Sequence, residues 1–326
     1  MKHYTPPYTI STKILNLVSL ISEELTKIEL NKKQLITPKL RRENHVKTLA
    51  GTLEIEGNFL GEEKITALLD GKRVLGTNLE IAEVEGTINA YKALEQYKYY
   101  KLKDLLKAHS LLMKGILKSA GSFRTVQVVV GEHIPPIPMM LPKLMGELFD
   151  WLEQSDEHPL IKSCVFHYEF EFIHPFSDGN GRIGRLWQSV ILYHWKEVFS
   201  AIPTESIIRD NQEEYYAVLD ESGSLGESTS FVEFMLEVIL KTLENVPKDV
   251  PENVPKDRGE LILDSMRENP TITVRELAQL LKVNEKTIKR DIEKLKEENK
   301  VLRIGSARKG EWRVNKLSRQ CRDNLS

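Results

Sequence analysis

The sequence predicts a mainly α-helical protein: a helical bundle with one small β-hairpin, followed by a small domain of three helices and a β tail. Apolar residues recur at three- and four-residue steps through most of the first 244 residues, as on the buried face of a helix. Pro247, Pro251 and Pro255 then follow at a four-residue step, and proline this dense continues neither a helix nor a sheet ladder. We therefore expect a proline-rich linker at 245–257 between two domains.

Composition indicates a globular protein of two or three domains. Of the 326 residues, 40% are hydrophobic and 29% are charged, which supplies enough apolar material for a packed core. Cys164 and Cys321 lie far apart, so neither a disulfide scaffold nor a cysteine zinc site is expected. No apolar run approaches the ~20 residues that span a bilayer, and the N-terminal segment lacks signal-peptide features. We expect a cytoplasmic protein with no membrane partner.

Residues 258–316 carry the pattern of a winged helix-turn-helix. A capping box at Thr273–Glu276 opens the second of three helical segments, and Asn284 caps the third. Two β-type runs, VLRIG and EWRV, enclose a turn at 306–310, as the strands of a wing do. Residues 317–326 form a basic tail.

The charge of this region favours DNA as a partner. From Asp257 to Ser326 there are 17 basic and 12 acidic residues, a net charge of +5, whereas the rest of the chain carries −7. Phosphate contacts position such a domain on duplex DNA. The basic side chains of the third helix and the wing are Lys286, Lys289, Arg290, Lys294, Lys296, Arg303, Arg308, Lys309 and Arg313. Winged helices also dock proteins or form dimers, so that alternative stays open.

One β-type segment interrupts the helical body. Residues 124–130, RTVQVVV, are rich in β-branched residues and precede Gly131 and the proline cluster IPPIP, which predicts a strand or hairpin. An isolated hairpin is only marginally stable, so this one should lie over the helices. It is either ordinary packing or an edge on which a substrate docks.

The densest chemical pattern is Ile173–Arg185, IHPFSDGNGRIGR. Its GNG turn opens a helical run, and the free amides at a helix N-terminus favour an anion, most often phosphate. Arg182 and Arg185 lie on one helix face and offer planar donors to phosphate oxygens. The predicted phosphate-binding residues are Gly179, Asn180, Gly181, Arg182 and Arg185.

Neighbouring residues add a metal ligand and a base. A carboxylate beside phosphate repels it unless a cation lies between them, so Asp178 is predicted to bind Mg²⁺. His174, of a residue type with a pKa of about 6.5, is the natural base for an attacking hydroxyl. Phe176 is expected to anchor the loop. The P-loop and HExxH patterns are absent, and His167 with His174 lacks a third ligand for zinc.

On these residues the sequence resembles the Fic family, whose signature HxFx(D/E)GNGRxxR is matched at every defining position. The likeness extends over most of Tyr8–Leu243. It implies a Fic-type helical core at 96–244, preceded by a helical region at 1–95. It also implies transfer of AMP from ATP to a protein hydroxyl, with release of pyrophosphate. ATP would be the substrate and Mg²⁺ the cofactor.

The resemblance implies a role for each motif residue. His174 would deprotonate a serine, threonine or tyrosine of the target, and Asp178 would hold Mg²⁺. The GNGR segment would hold the phosphates, and Arg185 would grip the γ-phosphate. A target segment would pair with a flap formed by Thr125, Val126, Gln127, Val128 and Val129.

A second stretch, TLEIEGN, resembles the Fic inhibitory motif (S/T)xxxE(G/N), placed before the core as in class II members. It comprises Thr52, Glu56 and Gly57 at the motif positions. Read from the residues alone, it is a helix that ends at a glycine, with Glu56 either in solvent or aimed at a phosphate-gripping arginine. We favour the second interpretation, in which Glu56 pairs with Arg185 and holds ATP in an unproductive pose. In some relatives the same glutamate supports removal of AMP, so the net direction stays open.

Three classes of function compete. The first is an autoinhibited protein adenylyltransferase that modifies another protein or itself. The second is a transcription regulator whose Fic body only senses nucleotide. The third is a phosphotransferase like the Doc toxins, whose motif departs at the glycine turn; the intact GNG here favours AMP transfer. A homodimer is expected from the family resemblance and the winged helix.

Overall fold

The computed structural model describes residues 4–31, 36–246, 258–281, 283–298, 300–305 and 310–315. The chain divides into two compact units, Met1–Lys248 and Asp249–Ser326. Several predicted features lie outside the described residues: positions 247–257 of the linker, Arg308 and Lys309 of the wing, and the tail at 317–326.

The first unit is helical, as predicted. Its α-helices are α1 (Thr12–Leu30), α2 (Pro38–Ile55), α3 (Glu62–Leu69), α4 (Asn78–Lys92), α5 (Leu102–Leu112), α6 (Leu141–Gln154), α7 (Pro159–Ile173), α8 (Asn180–Trp195), α9 (Thr204–Asp210), α10 (Gln212–Leu225) and α11 (Thr229–Glu244). Short 3₁₀ turns occur at Leu94–Gln96, Pro138–Met140 and Glu197–Ala201. In the described part of the chain, no helix combines the length and apolar character needed to cross a membrane.

Helix α7 forms the centre of this unit. Its sequence, PLIKSCVFHYEFEFI, is apolar on every side, and such a helix is stable only when neighbours cover it all round. Helices α8 and α11 pack along it. His167, fully buried, is accommodated by hydrogen bonds with Gln188 at 2.8 Å and Tyr215 at 3.1 Å, as buried polar groups require.

The β-type segment at 124–130 forms less regular structure than predicted. Instead of a strand it contains one antiparallel bridge, between Val130 and His133, across a tight turn. The returning arm includes Pro135 and Pro136, which have no N–H to donate to a ladder.

Side chains hold this segment in place of a ladder. The Arg124 guanidinium donates to the carbonyl oxygens of Val126 at 3.1 Å and Pro136 at 2.6 Å. The Gln127 amide donates to the carbonyl oxygen of Pro135 at 2.7 Å. The segment is therefore a braced loop, whose shape depends on a buried arginine.

The second unit contains α12 (Arg258–Glu268), α13 (Val274–Leu280) and α14 (Glu285–Glu297), then β1 (Val301–Ile304) paired antiparallel with β2 (Glu311–Val314). The capping box at Thr273–Glu276 and the Asn284 cap are both present, so these predictions are confirmed. Trp312 of β2 closes the small core and donates its indole N–H to the carbonyl of Ile272 at 3.0 Å. This is a winged helix-turn-helix.

The crossing of α4 over α5 depends on Gly86. A Cβ atom on Gly86 would overlap the backbone carbonyl of Leu112. We expect Gly86→Ala to lower the free energy of unfolding by about 1–3 kcal/mol, because the two backbones must move apart. A Cβ atom on Gly146 of α6 would meet no other atom within 4 Å. Gly146→Ala should therefore raise the free energy of unfolding by about 0.4–1 kcal/mol. Urea denaturation measures the free energy of unfolding of both variants. Equal changes in the two variants would contradict the close approach of α4 and α5.

Candidate active site

The loop between α7 and α8 is closed from within by Asn180. Its side-chain amide donates to the carbonyl of Phe176 and its Oδ1 accepts from the Phe176 N–H, both at 2.9 Å. The Phe176 ring is fully buried and stacks on His109, with ring centroids 3.6 Å apart. The predicted anchoring role of Phe176 is confirmed.

His109 of α5 also binds this loop, through the backbone of Asp178. Its Nε2 lies 3.0 Å from the carbonyl oxygen of Asp178, and its Nδ1 accepts from the Gly121 N–H at 2.8 Å. Because a carbonyl only accepts and an amide only donates, the imidazole is neutral with its proton on Nε2. Burial also lowers the pKa of His109 to about 4, so this contact persists across the physiological pH range.

The start of α8 is built as an anion cradle. Gly179 has φ +82, a left-handed conformation that turns the chain sharply into the helix. The first amides of the helix have no intrahelical partner and lie at the positive end of its dipole. A Cβ atom on Gly181 would overlap the carboxylate of Glu56. A carboxylate therefore lies at the position that an anion would take.

Arg185 binds this carboxylate. Its Nη2 lies 2.6 Å from Glu56 Oε1, and its Nε donates to Thr52 Oγ1 at 3.0 Å. A third bond joins Nη2 to the Thr52 carbonyl at 3.3 Å. The pairing of Glu56 with Arg185 expected from the sequence is thus present in the structure.

A glycine ends α2 so that Glu56 reaches the arginine. The N–H of Asn58 bonds to the carbonyl of Leu53, and the N–H of Gly57 to that of Glu54, with Gly57 at φ +87. This is the Schellman arrangement. It turns the chain away directly after Glu56. Burial alone would raise the pKa of Glu56, but the charge of Arg185 outweighs it and holds the pKa below its usual value, so the carboxylate is ionised.

His174 caps the end of α7 in a strained backbone conformation. Its φ is +47, which is rare outside glycine, and Pro175 follows it. The buried Arg124 stabilises this turn twice: its Nε donates to the His174 carbonyl at 2.8 Å, and its backbone N–H donates to the Pro175 carbonyl at 2.9 Å. Burial lowers the pKa of the His174 imidazole to about 4. The ring is therefore neutral, the form that accepts a proton.

Arg182 lies beside the cradle with part of its donor capacity unused. It donates to Glu83 of α4 at 3.2 Å and reaches Asp178 at 3.5 Å. Its Nε is buried and has no hydrogen-bond partner in the described part of the chain. A buried donor without a partner is costly, and an oxygen of a bound phosphate would satisfy it.

Asp178 offers one carboxylate at the edge of the cradle. The side chain is 53% exposed and accepts from the Gly179 N–H at 2.6 Å. Among the described residues, no group of three acidic, histidine or cysteine side chains forms a dedicated metal cage. Mg²⁺ commonly takes one or two carboxylates together with substrate phosphates and water, so a single exposed aspartate fits that ion.

One cavity of about 630 Å³ joins part of this site, although Asp178, Gly179, Asn180 and Arg182 do not line it. Its walls include Glu56, His174, Gly181 and Arg185, together with Glu171, Tyr215 and Tyr216. From the β-type segment, Val130 and residues 132–134 line it. The residues predicted as the flap, Thr125 to Val129, do not.

Several residues that shape the site escaped sequence reasoning. They are Glu83, His109, Arg124, Glu171 and Tyr215. Glu171 could have been found, because it lies three residues before His174 and so on the same helix face. The others reach the site from distant segments, for which the sequence has no local signal.

Comparisons with known proteins agree with this fold. A family model described as Fic/DOC family matches residues 99–192, and one described as DeoR-like helix-turn-helix domain matches 258–308. A Fic family protein from Desulfovibrio desulfuricans G20, solved by crystallography, is 38% identical, with 98% of this chain and 100% of that chain covered and a TM-score of 0.74. The chain belongs to the Fic family and carries a C-terminal helix-turn-helix domain.

More distant relatives match the first unit. Proteins named protein adenylyltransferase Fic from Culex quinquefasciatus and Drosophila mojavensis are 29% and 30% identical over 219 and 234 residues. The matches cover 62% and 65% of this chain but 42% and 44% of those proteins, so the chain spans less than half of their length. Fic-1 from C. elegans, 22% identical with 72% of this chain and 70% of that chain covered, shares the fold with a TM-score of 0.56.

The neutral state of His174 can be tested directly. In an NMR titration of the nucleotide-free protein, we expect the His174 ring resonance to shift with a midpoint near pH 4, because burial disfavours the imidazolium. The His174→Ala spectrum assigns the signal. A midpoint at or above the ordinary value of about 6.5 would contradict the buried, neutral base.

Proposed function

We propose that this protein transfers AMP from ATP to a hydroxyl group of a protein, and that Glu56 restrains the reaction. One observation carries the proposal: the neutral imidazole of His174 lines one cavity with Gly181 and Arg185 from the start of α8. The names of the curated relatives support the same chemistry.

The proposed reaction assigns a role to each group. ATP lies with its phosphates on the amides of α8, between Arg182 and Arg185. His174 accepts the proton of the target hydroxyl, whose oxygen attacks the α-phosphorus. The bond from that phosphorus to the bridging oxygen breaks, and pyrophosphate leaves with the electron pair. The protein contributes mainly orientation and charge stabilisation.

Asp178 is the residue that would hold Mg²⁺ against the phosphates. Such an ion neutralises phosphate charge and favours departure of pyrophosphate. Asp178 also keeps its carboxylate fixed through the Gly179 N–H, which orients it toward the cradle side of the loop.

Glu56 restrains this reaction by occupying the γ-phosphate position. Its carboxylate lies on Arg185 and against Gly181. A triphosphate and this carboxylate are both anions, so they compete for one guanidinium. ATP therefore binds with its γ-phosphate displaced, and the α-phosphorus is turned from the line of attack.

Removing the carboxylate should release the reaction. Hydrogen bonds to charged groups are worth about 1.5–3 kcal/mol, so self-modification by Glu56→Gly should be about tenfold faster than by the wild type, or more. Mass spectrometry after incubation with Mg²⁺-ATP measures the added AMP. The matched control is Glu54→Gln, which removes a carboxylate from the same helical turn, where it binds Arg209 away from the cradle.

Two outcomes count against the proposal in different ways. Equal labelling of Glu56→Gly and the wild type would overturn the restraint by Glu56. Labelling that survives His174→Ala, or that comes from γ-labelled rather than α-labelled ATP, would overturn AMP transfer by this base and favour a Doc-like phosphotransferase. The same assay run on AMP-modified protein tests whether Glu56 supports removal of AMP.

We also propose that the second unit binds DNA. Lys286, Lys289 and Arg290 are exposed on α14, which corresponds to the recognition helix of a helix-turn-helix. The match to a DeoR-like helix-turn-helix domain supports this function. A homodimer would present two such units to a symmetric DNA site. The proposal also includes a cytoplasmic location.

Charge removal on α14 tests DNA binding. In a mobility-shift assay of the full chain at low salt, Lys289→Gln and Arg290→Gln should weaken binding, and the slope of log K against log salt should fall by about 0.9 for each DNA phosphate that is no longer neutralised. Arg267→Gln, on α12 and paired with Asp264, is the control within the same unit. No shift with any DNA pool at low salt would defeat the proposal.

A further inference from the structure

A second cavity lies in the first unit and shares no lining residue with the active-site cavity. Its volume is about 400 Å³, within the range of small-molecule pockets. Helices α2, α4 and α8 and the segment 199–205 enclose it. None of the chemistry proposed above uses it.

The mouth of this cavity is positive on balance, with three exposed basic residues against one exposed acid, Glu95. Arg41, Arg42 and Lys92 line it, together with the half-buried His45. Arg42 is paired with Asp70, but Arg41 and Lys92 form no ion pair with any described residue. Burial lowers the pKa of His45, and the charges of Lys92 and Arg42 lower it further, which places these cations close together. An anion such as phosphate suits this mouth.

The floor of the cavity contains an unsatisfied acid. Glu205 is 2% exposed, and its Oε1 accepts from Tyr91 and Ser189, each at 3.0 Å. Its Oε2 is buried without a hydrogen-bond partner in the described part of the chain. A buried acceptor without a donor is costly, so a hydroxyl group that reaches the floor would be bound there. Leu94 and Phe199 supply apolar walls.

We propose that this cavity binds a small phosphate monoester of a polyol, such as a sugar phosphate. The phosphate lies at the mouth between Arg41 and Lys92, and a hydroxyl donates to Oε2 of Glu205. The two ends of the cavity thus demand opposite groups, an anion and a donor, on one ligand.

The floor lies close to the active site, because Arg185 and Glu205 border one small internal space. Arg185 Nε donates to Thr52 Oγ1 at 3.0 Å, and Tyr91 donates to Glu205 Oε1 at 3.0 Å. A ligand that engages Glu205 therefore changes the state of an acid beside Arg185, the arginine that Glu56 binds. We infer that occupancy of this cavity changes the affinity for ATP, an inference that rests on the proposed function.

Calorimetry on the full chain tests the site, with ribose 5-phosphate, inorganic phosphate and ribose as probes. Ribose 5-phosphate should bind more tightly than either other probe, and Arg41→Gln and Lys92→Gln should each weaken it by about tenfold. Lys47→Gln removes an exposed charge from α2 outside the cavity, and it should leave the affinity for ribose 5-phosphate unchanged. The proposed site is wrong if ribose 5-phosphate gives no heat of binding. It is also wrong if the same heat of binding remains in both Arg41→Gln and Lys92→Gln.

A second titration tests the coupling separately. Saturating ribose 5-phosphate should shift the dissociation constant of ATP by about fivefold or more, within the usual range of coupling between sites. In Arg41→Gln, which weakens the site, the same shift should require about tenfold more ribose 5-phosphate. An unchanged ATP constant in the wild type overturns the coupling. Failure of AMP transfer would instead appear in the mass-spectrometric assay and leave the binding result intact.

Discussion

Arg185 is a permanent positive charge with 2% of its surface exposed, and much of the first unit is arranged around it. A guanidinium buried to this degree needs both a counter-charge and acceptors for its donors. Helix α2 supplies both, through the carboxylate of Glu56 and the hydroxyl and carbonyl of Thr52. The contact between the end of α2 and α8 therefore stabilises the fold, and it also affects whether an anion can reach the cradle. An anion that enters the cradle meets the carboxylate of Glu56 already bound to this arginine.

Neutral polar groups hold the rest of the site. The imidazole of His109 bridges two backbone segments, and Arg124 uses neutral carbonyls as its acceptors. These contacts fix the loop from His174 to Gly179 without adding negative charge that would repel a nucleotide. The acids that line the active-site cavity together with Glu56 are Glu132, Glu171 and Asp220. The proposed site therefore relies on Arg182 and Arg185 to hold an anionic substrate, with Glu56 already bound to Arg185.

The sequence-based account of the fold was strongest where structure is local. The capping signals at Thr273 and Asn284 and the glycine end of α2 at Gly57 each depend on a few adjacent residues. It was weakest at 124–130, where β-branched residues predicted a strand. There the prolines of the returning arm have no N–H to donate to a strand partner. The buried side chain of Arg124 instead donates to carbonyl groups of the segment. That outcome depends on Arg124 and Gln127, which lie within the strand pattern, and on prolines a few residues beyond it.

The sequence by itself determined the order of chemical groups from His174 to Arg185, because a base, a turn and a helix start within twelve residues can adopt few arrangements. It also indicated which acid would meet Arg185. Only the tertiary structure decided that Glu83 and His109 reach the same loop, and that Val130 rather than Val126 borders the cavity. The reason is physical: spacing along a chain constrains neighbours within a turn or two, whereas contacts across tens of residues follow from how buried helices pack.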